Sequence, residues 1–305
     1  MDILAARARP RRNFGALALL LAACAPFAAL AQSAVDERHP LAPGGRVEVE
    51  NVAGAIRVQG WDRDEVTVVG TLGEGLRLEV DASRNRVRVH VVYPRGRRNN
   101  GDARLELRVP KGAELEVATV SADVDIAGVD LRRLQARTVS GGLNAAGRAG
   151  EADLGSVSGS IRSRIATSRF EAGTVSGRVD AGGGLGGDVS AESVSGSVDL
   201  VAGRVEQLRA ETVSGSVKMQ VEALAPGGRI AAEAVSGRIT LELPANASAQ
   251  LRASSFSGDI HSSVGQVQRR RHGPGRSLDA TLGGGDGDIS LQSHSGNVRV
   301  TLGAR

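Results

Sequence analysis

Large aromatic side chains are almost absent from this sequence. They make up 2% of its 305 residues, and only Trp61, Tyr93, Phe170 and Phe256 lie beyond the first thirty positions. A globular core of this size normally contains many more rings, because each ring buries about 150–250 Å². Glycine is abundant instead, with 41 residues. This composition excludes a thick globular core and favours a thin core of stacked small residues.

An excess of positive charge is also lacking once the first residues are set apart. The net charge is +4, and the arginine-rich residues 1–31 account for most of it, which leaves about +1 for the remainder. Such a balance does not support a nucleic-acid-binding surface. Two basic clusters, Arg95–Arg98 and Arg269–His272, are interpreted as solvated loops, with contact to an acidic polysaccharide or to lipid headgroups as the alternative.

Apolar runs long enough to span a membrane are missing, and the single extended one lies near the N-terminus. Residues 7–13 are rich in arginine, and the apolar residues 15–31 end in the small side chains of Ala29 and Ala31. This pattern predicts a secretory signal peptide over residues 1–31, cleaved after Ala31 and before Gln32. The run is shorter than the about 18 residues that a transmembrane helix needs, so no span is expected after the signal is removed.

Cys24 is the single cysteine of the chain, and it gives the leader a second interpretation. Leu21-Ala22-Ala23-Cys24 resembles a bacterial lipobox, in which the cysteine becomes the lipidated N-terminus. The chain is therefore expected in the periplasm or on the cell surface, and an outer-membrane lipoprotein anchored at Cys24 is the alternative. A chain cleaved after Ala31 has no cysteine and no disulfide, despite an oxidising destination.

The first part of the exported chain alternates apolar and polar residues at period two. After a linker at residues 32–42, this alternation predicts several strands over residues 43–118, separated by turns such as Ala53-Gly54 and Pro110-Lys111-Gly112. We expect an N-terminal β-meander or sandwich that caps the following repeat, because an open end would expose unpaired strand edges.

A Val-Ser-Gly motif recurs every 18–22 residues over residues 119–305, apart from one spacing of 38 that contains an insertion at about 265–282. Internal repeats of this length indicate a stacked architecture. The motif serines are Ser121, Ser140, Ser158, Ser176, Ser195, Ser214, Ser236, Ser257 and Ser295.

The residues around each motif serine predict how the coils are built. Positions six and four before the serine, and three after it, are apolar in all nine copies. The apolar positions are even-numbered offsets before the serine and odd-numbered offsets after it. Because side chains alternate between the two faces of a straight strand, the chain must bend at the motif. Glycine suits a bend that needs a positive φ or a close backbone approach. We predict an all-β solenoid of roughly 9–10 coils, with a series of hairpins as the alternative.

Three stretches resemble one bacterial family of β-strand repeats. They are residues 49–68, residues 106–117 and the repeated Thr-Val-Ser-Gly, and together the likeness covers residues 43–302. The family is of unknown function and is often labelled "putative adhesin". The resemblance brings no catalytic residues. Family corners typically read Ser-Gly-Asp, whereas here only Asp259 follows a motif glycine, so the resemblance does not imply a cation site.

Residue patterns for catalysis or metal binding are missing. The repeated serine does not occupy the centre of a Gly-x-Ser-x-Gly elbow, so we expect its hydroxyl to satisfy backbone groups at the corner. The five histidines lack zinc spacing and cysteine partners, and Gly283–Ile289 fits a turn into the last strand better than a calcium repeat. No catalytic residue, metal site or cofactor is therefore predicted.

These observations predict an exported binding or scaffold protein of the cell envelope, not an enzyme. Its partner would be an envelope protein or a polysaccharide. One alternative is a polysaccharide-active enzyme of β-helix type, because Glu192, Glu211 and Glu233 each stand three residues before a motif serine. The other is a periplasmic interaction partner in envelope sensing or assembly.

Overall fold

The computed structural model describes residues 33–94, 101–269 and 274–303. The signal peptide with Cys24 and Ala31, the Arg95–Arg98 cluster and most of the Arg269–His272 cluster lie outside the described residues. Every described element is a β-strand, and these residues include no helix of the length and apolarity that crossing a bilayer requires.

Eight strands precede the first motif serine. Their β-branched side chains alternate with polar ones, so that Val47 and Val49, or Val87 and Val89, are buried on one face. Residues 33–40 were expected to be a linker, but they form a strand that pairs antiparallel with the fourth strand. The eight are Ser33–Pro40 (β1), Arg46–Asn51 (β2), Gly54–Trp61 (β3), Glu65–Leu72 (β4), Arg77–Ala82 (β5), Arg86–Val92 (β6), Ala103–Pro110 (β7) and Glu114–Thr119 (β8).

Six long strands form the middle of the repeat and pair with one another in parallel. They are Asp123–Thr138 (β9), Leu143–Ser156 (β10), Ile161–Thr174 (β11), Val179–Ser195 (β12), Val198–Ser214 (β13) and Val217–Ser236 (β14). Each long strand bends near its middle and serves two sheets. The first half of β9 pairs with β3, for example, while its second half pairs with β8.

Seven short strands follow the long ones. They are Ile239–Leu243 (β15), Ala249–Ser255 (β16), Ile260–Ser262 (β17), Gln266–Arg269 (β18), Arg276–Leu282 (β19), Gly287–Ser293 (β20) and Val298–Leu302 (β21). The insertion expected at about 265–282 contains β18 and β19, which pair antiparallel with each other. Because β19 also pairs antiparallel with β16, this insertion covers the end of one sheet.

The strands form two sheets that face each other across the core, one made of the strands before each Ser-Gly bend and one of the strands after it. Before the bend the order is β5, β6, β2, β8, the second halves of β9–β14, then β20, β16, β19 and β18. After the bend it is β1, β4, β7, β3, the first halves of β9–β14, then β15, β21 and β17.

The predicted apolar columns lie between these sheets. All nine side chains six residues before a motif serine, from Leu115 to Ile289, are at most 2% exposed, and Phe170 is the largest of them. The residues three after the serine are also buried. The predicted solenoid is therefore confirmed. The hairpin alternative is wrong for the repeat, because the long strands pair in parallel from coil to coil.

Coil order in space differs from chain order at the C-terminal end. The last coil, β20 with β21, pairs with β14 and β15 on one side and with β16 and β17 on the other. The corners therefore stack in the order Ser236, Ser295 and Ser257. The spacing of 38 in the sequence does not reveal this insertion of the last coil between two earlier ones.

Coil order in space also differs from chain order at the N-terminal end, and we call the coils that are out of chain order the exchanged coils. The coil of β2 and β3 lies between the coil of β6 and β7 and the coil of β8 and β9. Part of the N-terminal segment thus adds two coils to the nine that carry motif serines. At about 4.8 Å per coil, the resulting stack is roughly 50 Å long. Its antiparallel strands β1, β4 and β5 close this end, as a β cap should.

Candidate functional site

The repeat coils turn from one sheet to the other at a sharp corner with the sequence Thr/Ser-Val-Ser-Gly or a close variant of it. The first residue of the four points inward, and in most coils its hydroxyl forms a hydrogen bond with the backbone of a corner. Ala234 has no hydroxyl, and Ser293 Oγ has no hydrogen-bond partner among the described residues. Thr138 Oγ1 accepts a hydrogen bond from Gly141 N–H at 3.0 Å, and Ser156 Oγ accepts one from Gly159 N–H at 2.8 Å. These buried hydroxyls form a column, named here the hydroxyl column: Thr119, Thr138, Ser156, Thr174, Ser193, Thr212, Ser255 and Ser293.

The motif serines have a different role from the one expected. All nine are exposed, and their N–H groups continue the ladder between coils, as in the bond from Ser158 N–H to Val139 O at 2.7 Å. The expectation that their hydroxyls satisfy the corner backbone is wrong for most copies, because the hydroxyl column two residues earlier already does so. Ser140 Oγ, which donates to Val120 O at 3.2 Å, is an exception.

The motif glycine is required by a close approach between coils. A Cβ built at Gly177 would overlap the carbonyl oxygen of Gly159 in the preceding coil, and Gly159 stands in the same relation to Gly141. None of these three has a positive φ. Of the two reasons considered for glycine at this corner, close backbone approach is the one that applies.

The valine of the motif points into solvent in every coil that has one. Eight such valines are 41–50% exposed and lie one above another along the corner. We call them the valine ladder: Val52, Val120, Val139, Val157, Val175, Val194, Val213 and Val235. His294 and Phe256 occupy the two following coils, and their rings stack with centroids 4.9 Å apart and planes 5° apart. A continuous row of apolar side chains therefore runs along this edge of the solenoid.

A column of carboxylates lies beside the ladder. Glu192 is in register with Glu211, and Glu211 is in register with Glu233, so the three acids suggested by their shared offset are indeed neighbours. Glu192 and Glu233 are exposed, whereas Glu211 is half-buried and forms an ion pair with Arg209. We refer to these three residues as the acid column.

The valine ladder and the acid column form the two rims of a groove. The hydroxyl column lies at its base, and the groove extends from the coil of Ser156 to that of Phe256 with a volume of about 660 Å³. Its walls carry apolar side chains on one side and carboxylates on the other. The groove is open to solvent along its length, so it suits an extended partner better than an enclosed small molecule.

Comparison with known families supports the resemblance noted from the sequence. Residues 47–301 match the family described as Toastrack DUF4097, which is most of the chain. The chain belongs to this family. Toastrack DUF4097 is a domain of unknown function, so membership identifies the repeat architecture and no reaction. No curated protein matches this Toastrack chain.

Several crystal structures are similar to this Toastrack chain. A "putative adhesin" from Parabacteroides merdae has 11% identity and a TM-score of 0.43, over 89% of this chain and 96% of that one. A "putative adhesin" from Bacteroides fragilis has 10% identity and a TM-score of 0.38, over 90% and 98%. A "putative cell adhesion protein" from Clostridium sporogenes has 8% identity and a TM-score of 0.24, over 89% and 100%. All three are distant relatives.

Those histidines of the Toastrack chain that the structure describes do not meet in a common site. His39 lies 2.9 Å from Glu37 and His90 lies 3.0 Å from Glu50, while His294 stacks on Phe256. Across residues 33–94, 101–269 and 274–303, no group of three or more His, Cys, Asp or Glu side chains is arranged to hold a metal ion. The expectation of no metal site stays a prediction for the whole chain.

The glycine-rich stretch before β20 forms a turn, as expected. Gly283 and Gly285 have positive φ, and Asp286 accepts a hydrogen bond from Ser248 Oγ at 2.7 Å. The sequence did not reveal that Val52-Ala53-Gly54 forms a tenth sharp corner, because its serine is replaced by Ala53. The apolar side chains of Val47, Val49 and Ile56 at the repeat offsets were the available signal.

Tyr93 closes the hydroxyl column at the N-terminal end. Its hydroxyl donates to Asn51 Oδ1 at 2.6 Å and accepts from Ala53 N–H at 3.0 Å. Burial raises the pKa of Tyr93, so the phenol stays protonated and able to donate at neutral pH. Asn51 takes the place of the buried threonine or serine in this coil, and the corner remains hydrogen-bonded.

Proposed function

We propose that this chain is an exported, non-catalytic binding or scaffold protein of the bacterial cell envelope, and that the valine ladder with its groove is the contact surface. The valine ladder is the observation that supports the proposal. Soluble proteins rarely expose apolar patches beyond about 300–600 Å², and larger ones usually mark contact sites. The partner is an envelope protein or a polysaccharide, and a role in envelope sensing or assembly falls within this proposal.

The surface is also rigid, which favours binding. Backbone hydrogen bonds join neighbouring coils directly at the ladder, such as Ser176 N–H to Val157 O at 2.8 Å. A partner therefore meets side chains that are already in place, and little conformational entropy is lost on contact.

The decisive experiment removes the apolar character of the ladder and leaves the fold intact. The protein, expressed with its own leader and purified from the exported fraction, is incubated with the cell-envelope fraction and with isolated envelope polysaccharide. We expect Val175→Asp/Val194→Asp to lose binding at least about tenfold, since charge at two adjacent rungs disrupts an apolar contact. Val201→Asp is the matched control, because Val201 is 46% exposed but lies outside the ladder.

Two outcomes of this experiment would overturn the proposal. One is that the unchanged protein binds neither fraction at physiological salt. The other is that Val201→Asp weakens binding as much as the double variant does. Circular dichroism melting curves of all variants show whether each remains folded.

The proposed route of export has its own test. We propose cleavage after Ala31, with lipidation at Cys24 as the alternative, and a location in the periplasm or at the cell surface. Mass spectrometry of the N-terminal peptide distinguishes a free Gln32 from a lipidated Cys24. An intact Met1 in the mature protein would contradict both routes.

The acid column supports a second candidate function, hydrolysis of an envelope polysaccharide. Neighbouring rungs lie about 4.8 Å apart, and two carboxylates about 5–10 Å apart can cleave a glycosidic bond. Against this stands the ion pair between Glu211 and Arg209, which occupies the central acid. Release of reducing ends from envelope polysaccharide, abolished in Glu192→Gln and Glu233→Gln, would favour the enzyme. Unchanged polysaccharide favours the binding protein.

A further inference from the structure

We infer that the valine ladder packs against the same ladder of a second copy of this chain, with the two solenoids side by side and parallel. This inference rests on the proposed function, since it names the partner of the same surface. Three properties of the ladder support it, namely its period, its area and the residues on either side of it.

The period of the ladder matches few partners. Its side chains recur once per coil, at about 4.8 Å. An extended peptide presents side chains on one face at about 6.8 Å and loses register within one or two rungs. A helix presents them at about 5.4 Å per turn and loses register within about four rungs, half the length of the ladder. A second copy of this chain has the same spacing, and each valine can then meet the same surroundings in every coil.

The area is sufficient for a stable contact. Eight valines that are 41–50% exposed, together with Phe256 at 47%, provide an apolar strip along most of the stack. They add up to roughly 600–700 Å² on each copy, close to the about 800 Å² per partner of a standard protein interface. The serines and carboxylates beside the strip would supply the polar rim of such an interface.

The residues beside the ladder select the parallel orientation. The ladder forms a ridge, and the groove lies on one side of this ridge. If a two-fold axis parallel to the stack relates the two copies, the ridge of each copy can enter the groove of the other. Each acidic side chain then lies beside the partner's motif serine of the same coil, as with Glu192 and the partner's Ser195. This contact gives the exposed serine hydroxyls an acceptor.

An antiparallel pair fits these residues less well. It places ridge against ridge and leaves both grooves open.

The test begins with the mass, in solution, of the mature protein purified from the exported fraction. Sedimentation equilibrium of the unchanged protein is expected to give twice the monomer mass. Val175→Asp/Val194→Asp is expected to give the monomer mass with an unchanged melting curve, and Val201→Asp is expected to remain dimeric. A monomer at about 100 μM for the unchanged protein, or a dimer that survives the double substitution, would overturn the inference.

Cysteine cross-linking then tests the orientation. Val120→Cys and Val235→Cys stand near opposite ends of the ladder, and in a parallel pair each should cross-link to its own counterpart. The unsubstituted protein and Val201→Cys are the controls for cross-links through Cys24 or by collision. Cross-links that form only when Val120→Cys is mixed with Val235→Cys would overturn the parallel arrangement.

The failure of this inference can be told from the failure of the proposed function. If the protein is a monomer but captures an envelope component through the ladder, only the second copy is wrong. If the protein is a dimer and neither the dimer nor the double variant binds the envelope fraction, the inference stands and the envelope-binding function is wrong.

Discussion

The two corners of each coil are built by different means. The sharp corner has almost the same four residues in every coil, and neutral hydrogen bonds and close glycine contacts hold it. At the broad corner, where each long strand bends, the register shifts by different amounts from coil to coil. The valine ladder is therefore regular because it lies at the sharp corner. Differences in the length of the coils are accommodated at the broad corner.

Charge distinguishes the corners as well. Ion pairs lie along the broad corner, where Glu114 contacts both Arg46 and Arg132, and Glu151 contacts Arg169. The hydrogen bond from Arg46, with further help from Arg132, lowers the pKa of Glu114. The comparison thus predicts that the sharp corner depends on steric fit and the broad corner depends on charge.

Gly177→Ala should give the largest loss, because its Cβ would overlap the backbone carbonyl oxygen of Gly159 in the preceding coil. We expect the free energy of unfolding to fall by about 3 kcal/mol or more. Gly173→Ala is the control in the same coil, since its Cβ meets nothing within 4 Å, and it should change stability by less than about 0.5 kcal/mol. Urea unfolding measures both, and equal losses would contradict the steric account of the sharp corner.

Ser156→Ala removes the acceptor for Gly159 N–H at 2.8 Å inside the corner. Leaving a buried donor without a partner should lower the free energy of unfolding by about 1–2 kcal/mol. Ser158→Ala changes the exposed motif serine two residues later and should cost less than about 0.5 kcal/mol. Thermal melts of Ser156→Ala and Ser158→Ala show which of the two hydroxyls stabilises the corner. A larger loss of stability for Ser158→Ala would contradict the role given to Ser156.

Gly227→Ala probes the broad corner, where Gly227 has φ +72° and open space around its Cα. The cost comes from backbone strain alone and should be about 1 kcal/mol. Gly227→Asn should cost less, because asparagine tolerates this conformation. If Gly227→Ala destabilised the protein as much as Gly177→Ala, the broad corner would be as intolerant as the sharp one.

Glu114→Gln should give the smallest loss, at most about 1 kcal/mol near pH 7, since its ion pairs are partly exposed. Because the folded pKa of Glu114 is lowered, its contribution is present above the unfolded pKa and is lost as the pH falls through the folded pKa. The difference between the two proteins in urea unfolding should therefore shrink at acid pH. The loss caused by Ser156→Ala should not depend on pH, and a difference for Glu114→Gln that stays constant down to pH 2 would exclude the ion-pair account.

The sequence predicts the coil but not the order of coils, for a physical reason. Apolar columns at fixed offsets specify which side chains point inward, and this is confirmed from Leu115 to Ile289. Leu251 and Ile289 are interchangeable as neighbours of Ile230, so the columns do not specify which coil follows which. The exchanged coils at both ends are therefore visible only in the pairing of the strands.

The candidate site was predictable in part. The shared offset of Glu192, Glu211 and Glu233 indicated that they stack, and their register confirms it. The exposure of the valines was not evident, because an apolar residue next to a bend can face either way when the parity changes there. The roles of the two hydroxyl positions were likewise ambiguous, since both lie within hydrogen-bonding reach of the corner.

The exchanged coils change how the solenoid can come apart. In a simple repeat stack the first and last coils along the chain lie at the open ends, so unfolding starts there and proceeds one coil at a time. Here β20 and β21 are held on both edges by earlier strands, and β2 and β3 are held on both edges by later ones. A chain pulled from its C-terminal side must first withdraw β21 from between β15 and β17, whereas from the N-terminal side the edge strand β1 comes away before the interior strands β2 and β3. End fraying, the easiest route for most solenoids, is therefore blocked at the C-terminal side of the chain.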